Sequence, residues 1–584
     1  MVKKLMSYIG EYKKATILTP LTVMVEAILE IIIPLYMASL IDKGIDAGDM
    51  GETVKYGVML LVFALVALGF GVLSGRFAAV ASCGFAKNLR EGMFHKVQEY
   101  SFSNIDHFST ASIVTRLTTD VSNVQHAFLM ITRTAFRSPA MLIFALVASF
   151  RIDAEMSMIF LGIIPILGIG LFLIIKKVSP IFHKVFGNYD KLNNVVQENL
   201  YAVRVVKAFN RQQHETEKFK NMSGGIYNDF VKAEKLMSFN MPLMQTCMYA
   251  CILLIAWMGA RAIVASGNDA ALGLSTGELL SLITYVMQIL MSLMMLSMIF
   301  VMVTMAKASG ERIVEILEEE SDIVNPENPV YEVADGSIEF ENVSFSYARE
   351  SGRPVLENIN LNIKSGETVG ILGGTGSSKS SLVQLIPRLY DAAEGSVKVG
   401  GKDVRQYDIE SLRKEVAMVL QKNVLFSGTI KENLRWGNEN ATDEELVHAC
   451  KLACADEFIQ GFEKGYDTYI EQGGTNVSGG QRQRLCIARA LLRKPKILIL
   501  DDSTSAVDMK TDALIRKAFA EEIPDTTKLI IAQRVASVQD ADKIIVMDDG
   551  KITAVGTHEE LLESSDIYRE VYESQNKKGF GEEV

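Results

Sequence analysis

The residues with the strongest chemical implication lie in the run ETVGILGGTGSSKSSLVQLI, from Glu367 to Ile386, which reads as strand, loop and helix. That context is the one a phosphate-binding loop requires. Gly373 and Gly376 let backbone N–H groups approach bound phosphates, Lys379 reaches the β and γ phosphates, and the Ser380 hydroxyl can ligate Mg²⁺. Gly374, Thr375, Ser377, Ser378 and Ser381 complete the candidate nucleotide-binding set. Downstream, the apolar strand KILILDD ends in Asp501, whose carboxylate is placed to hold the metal. Between these two runs stands NVSGGQRQR. Its Ser478 can cap a helix, while Gly479 and Gly480, followed by Gln481, expose backbone donors at the positive end of that helix, an arrangement suited to a γ-phosphate.

Such a loop needs a buried sheet behind it, and the sequence supplies one only in its second half. GSIEFENVSFSY, from Gly336 to Tyr347, alternates as a strand should and follows an acidic connector around Glu318 to Val330. Before the connector, long apolar runs dominate. The 584 residues are 49% hydrophobic and still 22% charged, a mixture that implies a membrane part and a soluble part. A bilayer-spanning helix takes about 20 apolar residues, and candidates fall near 16–41, 55–80, 127–150, 154–175, 239–266 and 278–305. The third is interrupted by Arg133 and Arg137, which would sit near the inner interface. The fold class is therefore multi-domain: an all-α six-helix transmembrane bundle followed by an α/β P-loop nucleotide-binding domain. The boundaries read as a transmembrane domain over 1–317, a linker over 318–335, the nucleotide-binding domain over 336–575 and a disordered tail over 576–584.

Lys and Arg concentrate at the N-terminus and in the segments 81–125 and 176–238, which places these and the nucleotide-binding domain in the cytoplasm of a multi-pass plasma-membrane protein. MVKKLMSYIGEYKK has no apolar core with a cleavage site, so it reads as an amphipathic helix on the inner membrane surface. The formal charge of −11, with no basic stripe, argues against a nucleic-acid partner. The six cysteines form no CxxC pair and read as reduced packing residues.

Two features inside the spans could concern a transported molecule. Glu26 and Glu30 lie four apart on one face of the first span, with Glu26 near mid-membrane, where an ionisable group implies a cavity, a cationic substrate, a proton site or a pairing that fixes helix packing. In the last span Met287, Met291, Met294, Met298, Met302 and Met305 recur at spacings of three and four. Flexible thioethers can repack around varied apolar ligands, although a plain packing or lipid-facing stripe gives the same spacing.

The order of phosphate loop, Gln421 after a strand, VSGGQ and ILILDD resembles the ATP-binding cassette family, and with six preceding spans the whole chain resembles its exporter branch. The resemblance implies ATP and Mg²⁺ as cofactors and further roles. Tyr347 would stack on adenine, Gln421 would sense the metal, and Asp508 in SAVD would link two sites. Two cassettes would dimerise head to tail, so that Ser478 to Gln481 bind the ATP held by the partner. Ile105 to Ser109 and Ala202 to Val205 would be the helices that press on the cassettes.

Three positions depart from the family pattern. Asp502 stands where hydrolytic sites carry a glutamate that polarises the attacking water. Gln533 stands at the switch histidine and cannot become cationic. Ser378 replaces the glycine before the lysine, at a cost of about 1 kcal/mol if the position needs positive φ. The groups that hold ATP are kept while the two that drive its hydrolysis are changed. The pattern resembles the degenerate-site subunit of a bacterial heterodimeric multidrug exporter, moving small amphiphilic compounds outward by alternating access. An active homodimer, a gated channel or regulatory ATP-binding subunit, and a lipid or peptide exporter are the alternatives.

Overall fold

Apolar runs longer than a bilayer is thick produce helices longer than any globular domain needs. The computed structural model describes residues 1–266, 273–347, 354–503 and 505–577. Six long helices follow one another: α1 (Lys13–Leu40), α2 (Met50–Gln98), α3 (Val121–Ile152), α4 (Ala154–Tyr201), α5 (Asn240–Ser266) and α6 (Thr276–Glu318). Among the described residues, six helical segments are long and apolar enough to cross a membrane, and each expected span falls within one of them. At 1.5 Å per residue, the 49 residues of α2 extend about 74 Å, more than twice the hydrocarbon thickness of about 30 Å. The third span is continuous helix in spite of its arginines.

The expectation for Arg137 needs a correction. Arg137 is not a terminal, interface-seeking cation: its guanidinium lies 2.6 Å from Glu30 and 3.3 Å from Glu26, midway along α1. Ser74 on α2 donates a further hydrogen bond of 3.2 Å to Glu26, which is 7% exposed. Three apolar helices are thus pinned by one ionic network, which explains how the arginine is tolerated within a span. Pro34 in α1 lacks an N–H and leaves the Glu30 carbonyl without its helical partner. Gln288 of α6 donates to that carbonyl, while Tyr285 and Ser281, one and two turns away, donate to the carbonyls of Ile31 and Pro34.

The N-terminal segment forms a short helix, Val2–Ser7, and a turn that leads into α1. It rests on a strip of α2 with little side-chain bulk. A Cβ on Gly84 would lie 2.4 Å from Tyr12, and one on Gly92 would lie 2.3 Å from Tyr8. Farther along, the buried Asp120 binds Ser309 and Arg312 of α6, and Arg116 pairs with Glu315.

Contacts group the chain into two units, Met1–Gln98 with Ser109–Glu319, and Glu99–Phe108 with Glu320–Val584. The second unit contains twelve strands among its described residues: β1 (Ile338–Phe345), β2 (Leu356–Ile363), β3 (Thr368–Gly373), β4 (Glu394–Val399), β5 (Lys402–Asp403), β6 (Val416–Val419), β7 (Gly428–Thr429), β8 (Tyr469–Ile470), β9 (Ile497–Asp501), β10 (Thr527–Ile531), β11 (Lys543–Asp548) and β12 (Lys551–Gly556). An antiparallel sheet runs β2-β1-β4-β5, and a six-stranded sheet runs β12-β11-β3-β10-β9-β6 with its five inner pairings parallel except β11–β12. Every residue of β9 and β10 is buried, as expected of parallel strands covered on both faces.

The expected linker is ordered against this unit. Val330 pairs with Gln406 and Asp408 through its backbone, and Val333 is buried. The short helix Phe102–His107 also belongs here: Tyr390 donates 2.6 Å to Asp106, and the Ser101 and Ser103 hydroxyls bind Asp322. Asn576 and Lys577, expected in the tail, continue the helix Asp566–Lys577, and residues 578–584 lie outside those described. All six cysteines are free thiols: Cys247, Cys251, Cys450 and Cys486 are buried, Cys454 is half-buried, and Cys83 is exposed rather than packed.

Removing one member of a buried ionic network strands the others. Arg137→Met is expected to destabilise the detergent-solubilised chain by about 3 kcal/mol, measured by thermal unfolding. Adding Glu26→Gln and Glu30→Gln to it should restore most of that loss.

Candidate nucleotide site

The candidate site forms where β3 and β9, flanking β10, end at the same edge of the sheet. Gly373 closes β3 against the Met547 carbonyl, where a Cβ would approach within 2.3 Å, so no larger residue fits. The loop then turns through Gly376 at φ +87° and Ser378 at φ +69° before the helix α7 (Lys379–Gln384) begins. Position 378 therefore does require the left-handed region, and the serine carries the strain expected of it.

Lys379 Nζ donates to the carbonyls of Gly373 and Gly374, at 2.9 and 2.7 Å, and to the Ser377 hydroxyl at 3.2 Å. Burial pulls its ammonium below the ordinary lysine range, and the carboxylates of Asp502 and Asp501 oppose that shift. Ser380 Oγ donates 2.9 Å to Asp501, which is 3% exposed. Burial raises the Asp501 carboxyl above its usual range, against the Ser380 hydrogen bond. Hydroxyl and carboxylate thus meet. Among the described residues no cluster of three or more His, Cys, Asp or Glu side chains could hold a metal. One carboxylate and one hydroxyl fit Mg²⁺, which usually takes few protein oxygens and completes its shell with phosphate and water.

Beside them, Asp502 sits at φ +48°, a region that aspartate enters more readily than most residues. Gln533 Nε2 donates 2.9 Å to its Oδ2, and Gln421 hydrogen-bonds the same side chain. Burial raises the Asp502 carboxyl, and these two hydrogen bonds work against the rise. Asp502, Gln533 and Gln421 therefore form one contiguous group. Tyr347 directs its hydroxyl at Ser381 (2.9 Å) and Gln384 (3.2 Å) and leaves half of its surface exposed, as a stacking platform for a base requires.

The VSGGQ residues lie elsewhere. Ser478 caps α8 (Gly479–Leu491) in a reciprocal box with Gln481, and Gly480 packs so closely on the Ala506 carbonyl that a Cβ would fall 2.8 Å from it. Among the described residues, none of the four signature positions is hydrogen-bonded to the phosphate loop. Asp508 caps α9 (Met509–Glu522) through the Thr511 N–H.

Sequence reasoning missed two braces. Gln483, buried on α8, bonds Ser505 and the Ala506 N–H and so ties the signature helix to the segment before Asp508. Gln575, on the C-terminal helix α10 (Asp566–Lys577), accepts from the Val535 N–H and donates to the Gln533 carbonyl. Their signal is three-dimensional: each is a polar residue on a helix whose partner lies across the fold. Of the expected membrane positions, Glu26 and Glu30 come together on Arg137, and Met287, Met291 and Met298 are exposed. Met294 and Met302 are half-buried, and the Met305 side chain lies outside those described.

A strand, loop and helix with a lysine, a serine and a strand-terminal aspartate, set behind six long apolar helices, defines a membrane protein that binds a nucleoside triphosphate. Residues 16–294 match the ABC transporter transmembrane region, and residues 356–505 match the ABC transporter domain. The chain is 38% identical over 574 residues to the uncharacterised ABC transporter ATP-binding protein YfiB of Bacillus subtilis, covering 98% of each chain. It is 31% identical to YknU of the same organism over 575 residues, covering 98% of this chain and 97% of that one. The protein belongs to the ABC transporter family: it is a multi-pass membrane half-transporter with an ATP-binding domain, an ATPase-coupled transporter.

Relief of the strain at position 378 is directly measurable. Ser378→Gly is expected to raise stability by up to about 1 kcal/mol, offset in part by added freedom of the unfolded chain. Ser378→Val should instead lower it by about 2 kcal/mol. Thermal unfolding of the purified chain reads both.

Proposed function

We propose that this chain is one half of a heterodimeric exporter and that its own phosphate loop retains ATP with slow hydrolysis. The observation that carries the reading is the contrast within one site. Lys379, Ser380 and Asp501 keep the geometry for binding nucleotide and Mg²⁺, while Asp502 and Gln533 occupy the positions that would activate and sense the attacking water. The shorter aspartate withdraws the carboxylate by about one carbon–carbon bond, and misplacement by about 1 Å can cost about 10²-fold in rate. Loss of general-base help costs about 10² to 10⁴. The intact signature, Ser478 to Gln481, would serve the ATP bound by a partner subunit.

A partner is also supported by the second inner turn. Leu200, Tyr201, Val203, Val205 and Phe209 surround the short helix Val203–Ala208 and are all exposed, Tyr201 at 95%. Apolar side chains so concentrated suit a covering surface such as a second subunit. The nucleotide-binding domain lies in the cytoplasm on the charge asymmetry of the loops. Closure of two cassettes on ATP biases the bundle outward, and hydrolysis at the partner's site resets it. The cargo is a small amphiphile. Exposed Met287, Met291 and Met298 offer adaptable apolar contacts, and the Glu26–Arg137–Glu30 group, with one excess negative charge, favours cations.

A second reading, a self-sufficient homodimer, draws on the raised pKa of Asp502, which makes it a stronger base. Steady-state ATPase activity separates the two. The heterodimer requires little turnover by the purified chain alone and strong turnover when it is joined by a second half-transporter carrying the glutamate. That turnover should be abolished by changing the partner's glutamate, merely reduced by Asp502→Asn, and stimulated by a cationic amphiphile only while Glu26 and Glu30 are intact. Strong activity alone, lost on Asp502→Asn, would establish the homodimer.

A further inference from the structure

The segment that carries Gln533 is held from outside the sheet. β10 hands over to it at Ala532, whose N–H still pairs with the Ile371 carbonyl, and regular structure resumes in the short turn Val535–Ser537, where the Ser537 hydroxyl donates 3.0 Å to Asp512. Between these two anchors, the Gln533 carbonyl and the Val535 N–H are both engaged by one side chain, that of Gln575 on α10. Its Oε1 accepts from Val535 at 2.9 Å, and its Nε2 donates 2.8 Å to Gln533. A side-chain amide thus pairs with the main chain on either side of Arg534, much as an adjacent strand would.

The folding of α10 does not demand this contact. The helix is anchored by other residues of the same face: Tyr568 is fully buried with its hydroxyl 2.7 Å from His558 Nδ1, and Tyr572, one turn on, meets the His558 ring edge-on with centroids 5.1 Å apart. Gln575 follows about a turn farther along that face. It is exposed, so water could serve its amide equally well. What two direct bonds to the backbone add, and water does not, is a fixed position for the segment between them.

The group so positioned is the Gln533 amide. Its Nε2 lies 2.9 Å from Asp502 Oδ2, and the Asp502 carboxylate in turn acts on the Lys379 ammonium, the group placed to reach the β and γ phosphates. Gln533 is therefore the neutral donor nearest to hand for a terminal phosphate, which ATP has and ADP lacks. A donor whose backbone is already fixed loses less freedom when it binds than one on a loose segment.

We propose that Gln575 is a positioning residue of the nucleotide site: by clamping the backbone at Gln533 and Val535 it sets the Gln533 amide for the terminal phosphate, so that the preference for ATP over ADP depends on the C-terminal helix. The inference rests on the reading of Gln533 as a residue of the ATP site. It depends neither on slow hydrolysis nor on a heterodimer. Gln575 itself touches no nucleotide and acts only through Gln533.

The test is equilibrium binding of two Mg²⁺ complexes to the full chain in detergent: ADP, and adenylyl imidodiphosphate, an ATP analogue that is not hydrolysed. The unmodified chain is expected to prefer the analogue. Gln575→Met, which keeps the length of the side chain and removes its amide, should reduce that preference by about threefold or more, with ADP affinity unchanged. A merely structural role would weaken both nucleotides alike. Gln533→Ala should reduce the preference at least as much, and Gln575→Met should add nothing in that background. If Gln575→Met fails to fold, Gln575→Glu decides by the same ratio, since it keeps the acceptor for Val535 and loses the donor to Gln533. No preference in the unmodified chain, an unchanged ratio in the Gln575 variant, equal loss of both nucleotides, or a further loss on top of Gln533→Ala would overturn the proposal. An unchanged ratio in both single variants would also remove Gln533 from the ATP site, whereas an unchanged ratio in the Gln575 variant alone would remove only the clamp.

Discussion

The hydrogen bond from Ser380 to Asp501 is the point from which the nucleotide-binding domain is organised. It joins the first turn of a helix to the last residue of a strand, and it can form only if β3 and β9 end level on either side of β10. Parallel strands buried on both faces fix that register, because a slip of one residue would exchange the two faces of every strand. The tight loop follows from the same constraint. The backbone must reverse between Gly373 and Lys379 in very little space, which is why glycine is obligatory at 373 and why position 378 is held at positive φ even with a serine there.

In the membrane part the corresponding constraint is compensation of charge and of unpaired backbone groups. Hydrocarbon offers no solvent for either, so a departure from plain apolar helix calls for a partner on a neighbouring helix. Arg137 is matched by Glu26 and Glu30, and the carbonyl freed by Pro34 is matched by Gln288. These matches lock α1 to α3 and α6.

Much of this was legible in the sequence. The phosphate loop, the strand ending at Asp501 and the six long apolar runs are local patterns, since each depends on residues close together in the chain. The strain at Ser378 was legible as well, because a side chain where a turn needs glycine has one physical meaning. What was not legible was pairing at long range. Nothing near Arg137 in the chain announces Glu26 and Glu30 more than a hundred residues earlier, so interface placement was the natural expectation. Gln575 and Gln483 carry no local signal for the same reason, and the acidic composition of the connector before β1 conceals the backbone pairing of Val330 with Gln406 and Asp408.

In the function proposed above, Lys379, Ser380 and Asp501 hold ATP in a site that Asp502 and Gln533 leave slow to hydrolyse. The most direct measurement is the chemical identity of the nucleotide retained at this chain's own phosphate loop after the assembled transporter has turned over radiolabelled ATP and been washed free of unbound nucleotide. Retained nucleotide that is predominantly ATP, and that is lost with Lys379→Ala, is the expected result. Predominantly ADP at that site would contradict the account.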